Sequence, residues 1–277
     1  MKGEKRVTMV RDLYMFSRDD EKAHVVWFSI IYQSNMGAET NINSALAEMG
    51  VKLKFAYLDN TEPDGQGKYV LFTEVKEESQ VDTIDQRLRN IEGVIDVESG
   101  ISRNRMIHSV DFPLNFLGER AVITRSRTFL DILRIIRENV IQPDGLLLLS
   151  GLKGGIGAAK YVKGIIEADK SNCMGILREL FLASGWGKLE MDFDRTTCNG
   201  KVLVRDSFIA DAYGPSDLPV CGYMSGFIAG YMTEMMGYTF QVREVSCKSM
   251  GNTMCEHLVS PVPEGVKLEH IMKEEMR

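Results

Sequence analysis

The sequence predicts an α+β protein of two domains, and three observations carry that expectation. The chain has 277 residues, enough for two domains with separate cores. Hydrophobic residues make up 44% and charged residues 26%, the balance of a globular chain rather than a disordered one. Short β-branched and aromatic runs alternate with amphipathic runs in two blocks, divided by a connector over 101–125 that Pro113 and Gly118 interrupt.

The first block follows a polar segment at 1–22. HVVWFSIIY, from His24 to Tyr32, is a buried strand by its β-branched and aromatic run. The turn QSNMGAET follows, and Thr40 and Asn41 are placed to cap a helix that stops at Gly50. VKLKFAYLDN alternates, with Val51, Leu53, Phe55 and Tyr57 on one face. TEPDGQGK is a turn, KYVLFTEVK a strand, QVDTIDQRLRNIEG an amphipathic helix and VIDVESGIS a last strand. The order βαββαβ is that of a ferredoxin-like domain.

In the second block TFLDILRIIRENV is a helix with Phe129, Ile132, Leu133 and Ile136 on one face, and Asn139 to Gly145 interrupt it. LLLLSGLKGGIGAAKYVKGII has the glycines of a phosphate cradle but neither the Lys-Ser/Thr pair nor the GxGxxG spacing. It is read as one long helix whose glycines let another helix approach. SNCMGILRELFLASG is a helix stopped by Gly185. The strands GKLEMDFDR and GKVLVRDSFIAD join through a turn at Thr197–Gly200. A glycine-aromatic helix and a strand pair near TFQVREVSC and MCEHLVS complete a helical layer on an antiparallel sheet. Residues 263–277 form a charged tail. The expected domains are 1–104 and 105–262.

The bulk chemistry narrows function. A net charge of −6 argues against nucleic acid as a direct partner, which needs a basic face. Arg120, Arg125, Arg127, Arg134 and Arg137 are the densest basic group and read as a solvated helix face. Five cysteines are an odd number for a secreted disulfide framework. With a polar N-terminus unlike a signal peptide, a reducing cytoplasm is expected. Residues 218–238 are nearly uncharged but glycine-rich and lack flanking Lys or Arg, so they read as a core helix and not a membrane span.

Three cysteines crowd the last third. Cys247 and Cys255 bracket KSMGNTM, Glu244 precedes Cys247 by three residues, and Cys221 opens the glycine-aromatic helix. Three thiolates and a carboxylate make a closed tetrahedral zinc set, and spacing alone is equally compatible with buried core cysteines. In the helix, Gly222, Gly226 and Gly230 recur every four residues beside Tyr223, Phe227 and Tyr231. These aromatics can line an apolar cavity or pack an ordinary core. Trp186, Phe208, Tyr213 and Met224 are further candidate wall residues. Cys173 and Cys198 stand outside the metal set, as buried hydrophobes or as switch thiols.

The stretch from Ser207 to Val259 resembles the end of the 4-vinyl reductase domain. It carries Ser207-Phe208, the Gly214 loop, Pro219-Val220-Cys221, the glycine helix, Arg243-Glu244-Val245, Cys247, Gly251 and Cys255. That family includes archaeal regulators and the sensor part of phenol-responsive activators, and shares its fold with small vesicle-tethering subunits. The resemblance implies structural zinc on Cys221, Glu244, Cys247 and Cys255, and a hydrophobic ligand. The sensors' pocket histidine has no counterpart among His24, His108, His257 and His270, so phenol specificity is not implied. Residues 22–100 resemble an ACT domain, with Gly37 in the turn after the first strand, although Met36 stands where that family usually has proline. That likeness implies an amino-acid effector at the turn of Asn35, Met36 and Gly37.

Together these readings imply a non-catalytic homodimeric sensor that passes its signal to a partner protein. A reductase component acting on a ring-bearing substrate and an assembly subunit are the alternatives. No nicotinamide or flavin fingerprint and no nucleophile–base pair speaks for catalysis.

Overall fold

The computed structural model describes residues 15–16, 23–61, 64–108, 110–111, 113–165 and 172–263. The expected N-terminal segment, apart from residues 15–16, and the tail beyond 263 lie outside the described residues. The chain divides into two compact units, 1–112 and 113–277.

The first unit contains β1 (Met15–Phe16), β2 (His24–Gln33), α1 (Ala38–Glu48), β3 (Leu53–Asp59), β4 (Gln66–Val75), α2 (Ser79–Arg89), β5 (Val94–Ser102) and β6 (Met106–Ile107). The main sheet has the antiparallel order β3-β4-β2-β5, the ferredoxin-like arrangement; β1 pairs with β6. One core gathers Phe28, Ile30, Tyr32, Leu71 and Val97 with Ile42 and Leu46 of α1 and Ile84 and Leu88 of α2. A smaller cluster of Val25, Val70, Phe72 and Ile107 forms separately from it.

Two local expectations are corrected. Thr40 and Asn41 do not cap α1. A 3-10 turn over Ser34–Met36 and a left-handed Gly37 (φ 66°) start the helix earlier, so both residues lie inside its first turn. The β3 alternation also breaks, because the register shifts between Leu53 and Phe55. Val51 joins the larger core, Phe55 and Tyr57 join the smaller one, and Leu53 is exposed. A bulge moves every later side chain to the other face.

The second unit opens with a hairpin of β7 (Asn115–Phe116) and β8 (Glu119–Arg120). Then come α3 (Ser126–Asn139), α4 (Pro143–Ile165), α5 (Cys173–Ala183), β9 (Lys188–Asp194), β10 (Asn199–Arg205), α6 (Phe208–Tyr213), α7 (Gly222–Met236), β11 (Phe240–Ser246) and β12 (Cys255–Pro261). The sheet order is β11-β12-β10-β9, antiparallel throughout. α7 is buried along most of its length and packs on both α4 and the sheet. No described helix is long and apolar enough to cross a membrane.

α4 is one continuous helix from Pro143, a residue suited to a first helical position, so no phosphate loop exists at its glycines. The helix break is confined to residues 140–142, and Asp144 and Gly145 belong to α4. The glycines set the α4–α7 approach. A Cβ on Gly151 would overlap the Tyr223 carbonyl oxygen, and one on Gly155 that of Phe227. In return, Gly226 meets Leu148 and Gly230 meets Leu152 in the same way. Gly222 takes no part, with open space around it.

Three further readings change. On α3 the buried face runs through Leu130 and Leu133, with Phe129 and Ile136 packed beside them. Ile132 is turned off that face and is 53% exposed. Arg134 and Arg137 are not solvated: both guanidinium groups lie over the Tyr213 ring, at 5.1 and 5.4 Å. Arg120, Arg125 and Arg127 are exposed. Finally, β10 ends at Arg205. Asp206 takes a positive φ of 53°, and the Ser207 hydroxyl accepts a bond from the Ala210 N–H, capping α6 where the sequence reads as strand.

Candidate metal centre and ligand cavity

Three segments meet at one end of the sheet. Cys221 is the residue before α7, Cys255 opens β12, and Cys247 ends β11 ahead of a 3-10 turn that left-handed Gly251 closes. A register irregularity between Glu244 and Ser246 re-aims the strand end, as bulges do. Cys221, Cys247 and Cys255 are fully buried. Their sulfurs stand 3.7, 3.7 and 4.0 Å apart. A tetrahedron with metal–sulfur bonds of about 2.3 Å has an edge of about 3.8 Å. With a Glu244 oxygen, the four ligand atoms all lie within 4.8 Å of one another. Glu244 Oε2 accepts a 2.7 Å hydrogen bond from the Cys221 N–H. Its Oε1 is buried and has no hydrogen-bond partner.

The electrostatics show what the site lacks. Bonds from Cys221 and Cys255 hold the Cys247 thiol far below the usual thiol range. The same contacts and burial drive the Cys221 thiol well up. Cys255, which its bond to Cys221 alone would lower, is pushed up to about 12 by Cys247 and by burial. Burial and the neighbouring Cys247 charge raise the Glu244 carboxyl to about 8. Without a cation the pocket tolerates essentially one negative charge; a bound divalent cation inverts that logic and lets all four groups ionise. The donor set, its edge lengths and the unpartnered Glu244 oxygen therefore fit a closed metal site. Ser249 Oγ lies 3.0 Å from Cys247 Sγ, Ser207 Oγ lies 3.4 Å from Cys221 Sγ, and the Lys248 N–H donates to Cys255 Sγ at 3.5 Å. These are the outer contacts that orient thiolate ligands.

His257 has a place that the sequence did not suggest. It is fully buried two residues past Cys255, with Nδ1 2.9 Å from Ser225 Oγ and Nε2 without a partner. Burial lowers its pKa to about 4, so the ring is neutral. The signal was the two-residue strand period, which puts His257 on the buried face with Cys255.

A cavity of about 800 Å³ lies elsewhere in the unit, between α4, the end of α5 and the β7–β8 hairpin. Trp186, Tyr223 and Phe227 line it. Trp186 meets Phe227, Phe181 and Tyr223 edge-on, with centroids 4.8, 5.4 and 5.8 Å away. Phe208 stacks behind Trp186 at 5.9 Å and is not on the lining. Tyr213 lies under Arg134 and Arg137. Met224 is fully buried beside the thiols, its sulfur 3.5 Å from Ser207 Oγ. Tyr231 is fully buried, with its hydroxyl unpartnered and its pKa raised by burial. Sequence reasoning missed the hairpin, Lys153, Lys160 and Tyr161, which also line the cavity.

In the first unit, Asn35 and Met36 are exposed and Gly37 is partly buried, in the turn after β2. The Ser34 N–H and hydroxyl both donate to the Gly65 carbonyl. Cys173 is buried with Sγ 3.8 Å from Met236 Sδ, and Cys198 occupies the β9–β10 turn at φ 55°. All five cysteines are free thiols.

Three solved structures illustrate what the chain is similar to. The phenol-responsive sensory domain of the transcription activator PoxR, with phenol, is 20% identical over 57% of this chain and 85% of that one, at a TM-score of 0.49. A vinyl-4-reductase family protein from Methanocaldococcus jannaschii is 21% identical over 53% and 87%, at 0.38. The ACT domain from the GTP pyrophosphokinase of Chlorobium tepidum is 21% identical over 28% and 97%, at 0.26. No curated protein sequence matches the chain. Residues 201–261, the stretch that carries all four candidate metal ligands, match the 4-vinyl reductase domain.

Proposed function

We propose that the chain is a ligand-sensing regulatory protein whose second unit holds an apolar small molecule and a structural zinc ion. The observation that carries the reading is the aromatic cavity walled by Trp186, Tyr223 and Phe227, in the unit that contains the 4-vinyl reductase match. Its volume of about 800 Å³ is within the range of small-molecule sites. Cys221, Glu244, Cys247 and Cys255 would hold the zinc. Four protein ligands leave no open position for water, so its role there is to fasten the start of α7 to the β11–β12 end. α7 also supplies two of the cavity's aromatic walls, and this links the metal centre to the cavity through one helix.

In this reading the first unit takes an amino acid or similar effector at the turn of Asn35, Met36 and Gly37. Glu39, just after that turn, has a buried carboxylate oxygen without a partner, which supports recognition of an ammonium group. The protein works as a homodimer in a reducing cytoplasm, in keeping with its five free thiols, and hands its signal to a partner protein. Dimerisation lets ligand binding shift a subunit interface.

Native mass spectrometry with elemental analysis on freshly purified protein tests the reading. One zinc per chain and a retained apolar ligand are expected. A bound redox cofactor would favour the reductase alternative, and an empty cavity with a tightly held partner protein the assembly alternative.

A further inference from the structure

Three lysines of α4 differ in their surroundings. Lys163 is off the cavity lining and is neutralised, its Nζ 2.9 Å from Glu234 Oε1. Lys153 and Lys160 line the cavity and make no ion pair or hydrogen bond among the described residues. They are seven residues apart, about two helical turns, and so share one face of α4. Gly154 and Gly157 lie between them on the lining, so the helix presents bare backbone there. A Cβ on Gly157 would meet nothing within 4 Å, and one on Gly154 would stand 3.7 Å from the Tyr223 hydroxyl. That hydroxyl, also without a partner among the described residues, therefore sits beside Lys153. Glu119 of the hairpin is the single acidic residue on the lining. The cavity thus has an aromatic side, made by Trp186, Phe181 and Phe227, and a cationic side with a free hydroxyl donor.

We infer that the cavity takes an amphiphilic anion, a carboxylate on an aromatic or similarly apolar body, with the carboxylate held by Lys153, Lys160 and the Tyr223 hydroxyl. This rests on the proposal that the cavity is the ligand site, and it narrows the ligand from any apolar molecule to an apolar acid. Two lysines on one edge of a cavity favour an anion over a neutral ligand of the same shape, because charge-assisted hydrogen bonds are the stronger ones. A chain of net charge −6 makes this local excess of cations specific to the site.

The test uses two probes with the same ring system, 2-naphthoate and 2-naphthamide, titrated calorimetrically into the full chain. 2-Naphthoate is expected to bind about tenfold tighter, with a preference that shrinks as salt rises. The Lys153→Ala/Lys160→Ala double variant should lose that preference, while Lys163→Ala should keep it. Both changes are on the helix surface, and circular dichroism checks that each variant folds. Equal affinities in the unmodified chain would overturn the inference and leave the apolar-ligand proposal standing. A preference that survives the double variant would overturn the assignment to these lysines. Binding of neither probe would overturn both readings.

Discussion

Cys221 Sγ and Cys255 Sγ lie 3.7 Å apart, joining the residue before one helix to the first residue of a strand thirty-four positions later. Nothing covalent holds them, since both are free thiols. Burying these groups beside Glu244 with no cation leaves an anion uncompensated, which is costly. Cys255→Ser is therefore expected to lower zinc content well below one per chain. The loss should be roughly 3 kcal/mol or more, a fall in Tm of about 6–12 °C for a unit of this size. Elemental analysis and calorimetry check both; full zinc with unchanged Tm would remove the metal assignment.

The α4–α7 contact predicts opposite outcomes for two glycines of one helix. Replacing an interior glycine by alanine ordinarily stabilises a helix by about 1 kcal/mol. At Gly157, where the added methyl meets open space, that gain should appear. At Gly155 the methyl overlaps the Phe227 carbonyl oxygen, so the helices must separate, at a cost of about 1–3 kcal/mol. Urea unfolding of Gly155→Ala and Gly157→Ala should move the midpoint in opposite directions.

Ser225 and His257 form a buried pair at 2.9 Å. His257 Nε2 already lacks a partner, so Ser225→Ala would leave both ring nitrogens unsatisfied. An unpaired buried polar group costs about 1–3 kcal/mol. Thermal unfolding should register that loss, and Ser225→Thr, which restores the hydroxyl, should recover most of it. An unchanged Tm for the alanine variant would mean that the pair contributes nothing.

The elements legible in the sequence are those whose signal is periodic or chemical. β2, β4 and α2 follow from alternation and amphipathic spacing. Cys221, Glu244, Cys247 and Cys255, chosen by residue type, do come together within 4.8 Å. What stays hidden depends on partners distant in the chain. SFIAD reads as a continuing strand, and only the Ser207 cap and the left-handed Asp206 turn it into α6. Arg134 and Arg137 look solvated until α6 brings Tyr213 beneath them. Tyr223 and Phe227 are visible as an aromatic stripe but not as sharing their cavity with Lys153 and Lys160, because that requires the α4–α7 glycine contact. The β7–β8 hairpin reads only as a broken connector.

That hairpin offers a last test, of access to the cavity. Leu117 and Gly118 have φ of 51° and 70°, the two left-handed positions of a tight hairpin turn. Leucine rarely adopts such a φ, at a cost of about 1–2 kcal/mol, and here its side chain packs against the core. Gly118 lies so close to Tyr161 that a Cβ would overlap its ring. Both residues line the cavity, as does Tyr161. In Gly118→Ala the methyl must displace either the ring or the hairpin tip, and the positive φ adds strain, so the mouth of the cavity loosens. Bound 2-naphthoate should then dissociate several-fold faster, on the order of 1 kcal/mol in the barrier, with the association rate little changed. Stopped-flow displacement measures this directly. An unchanged dissociation rate would mean that the ligand leaves by a route that the hairpin does not cover.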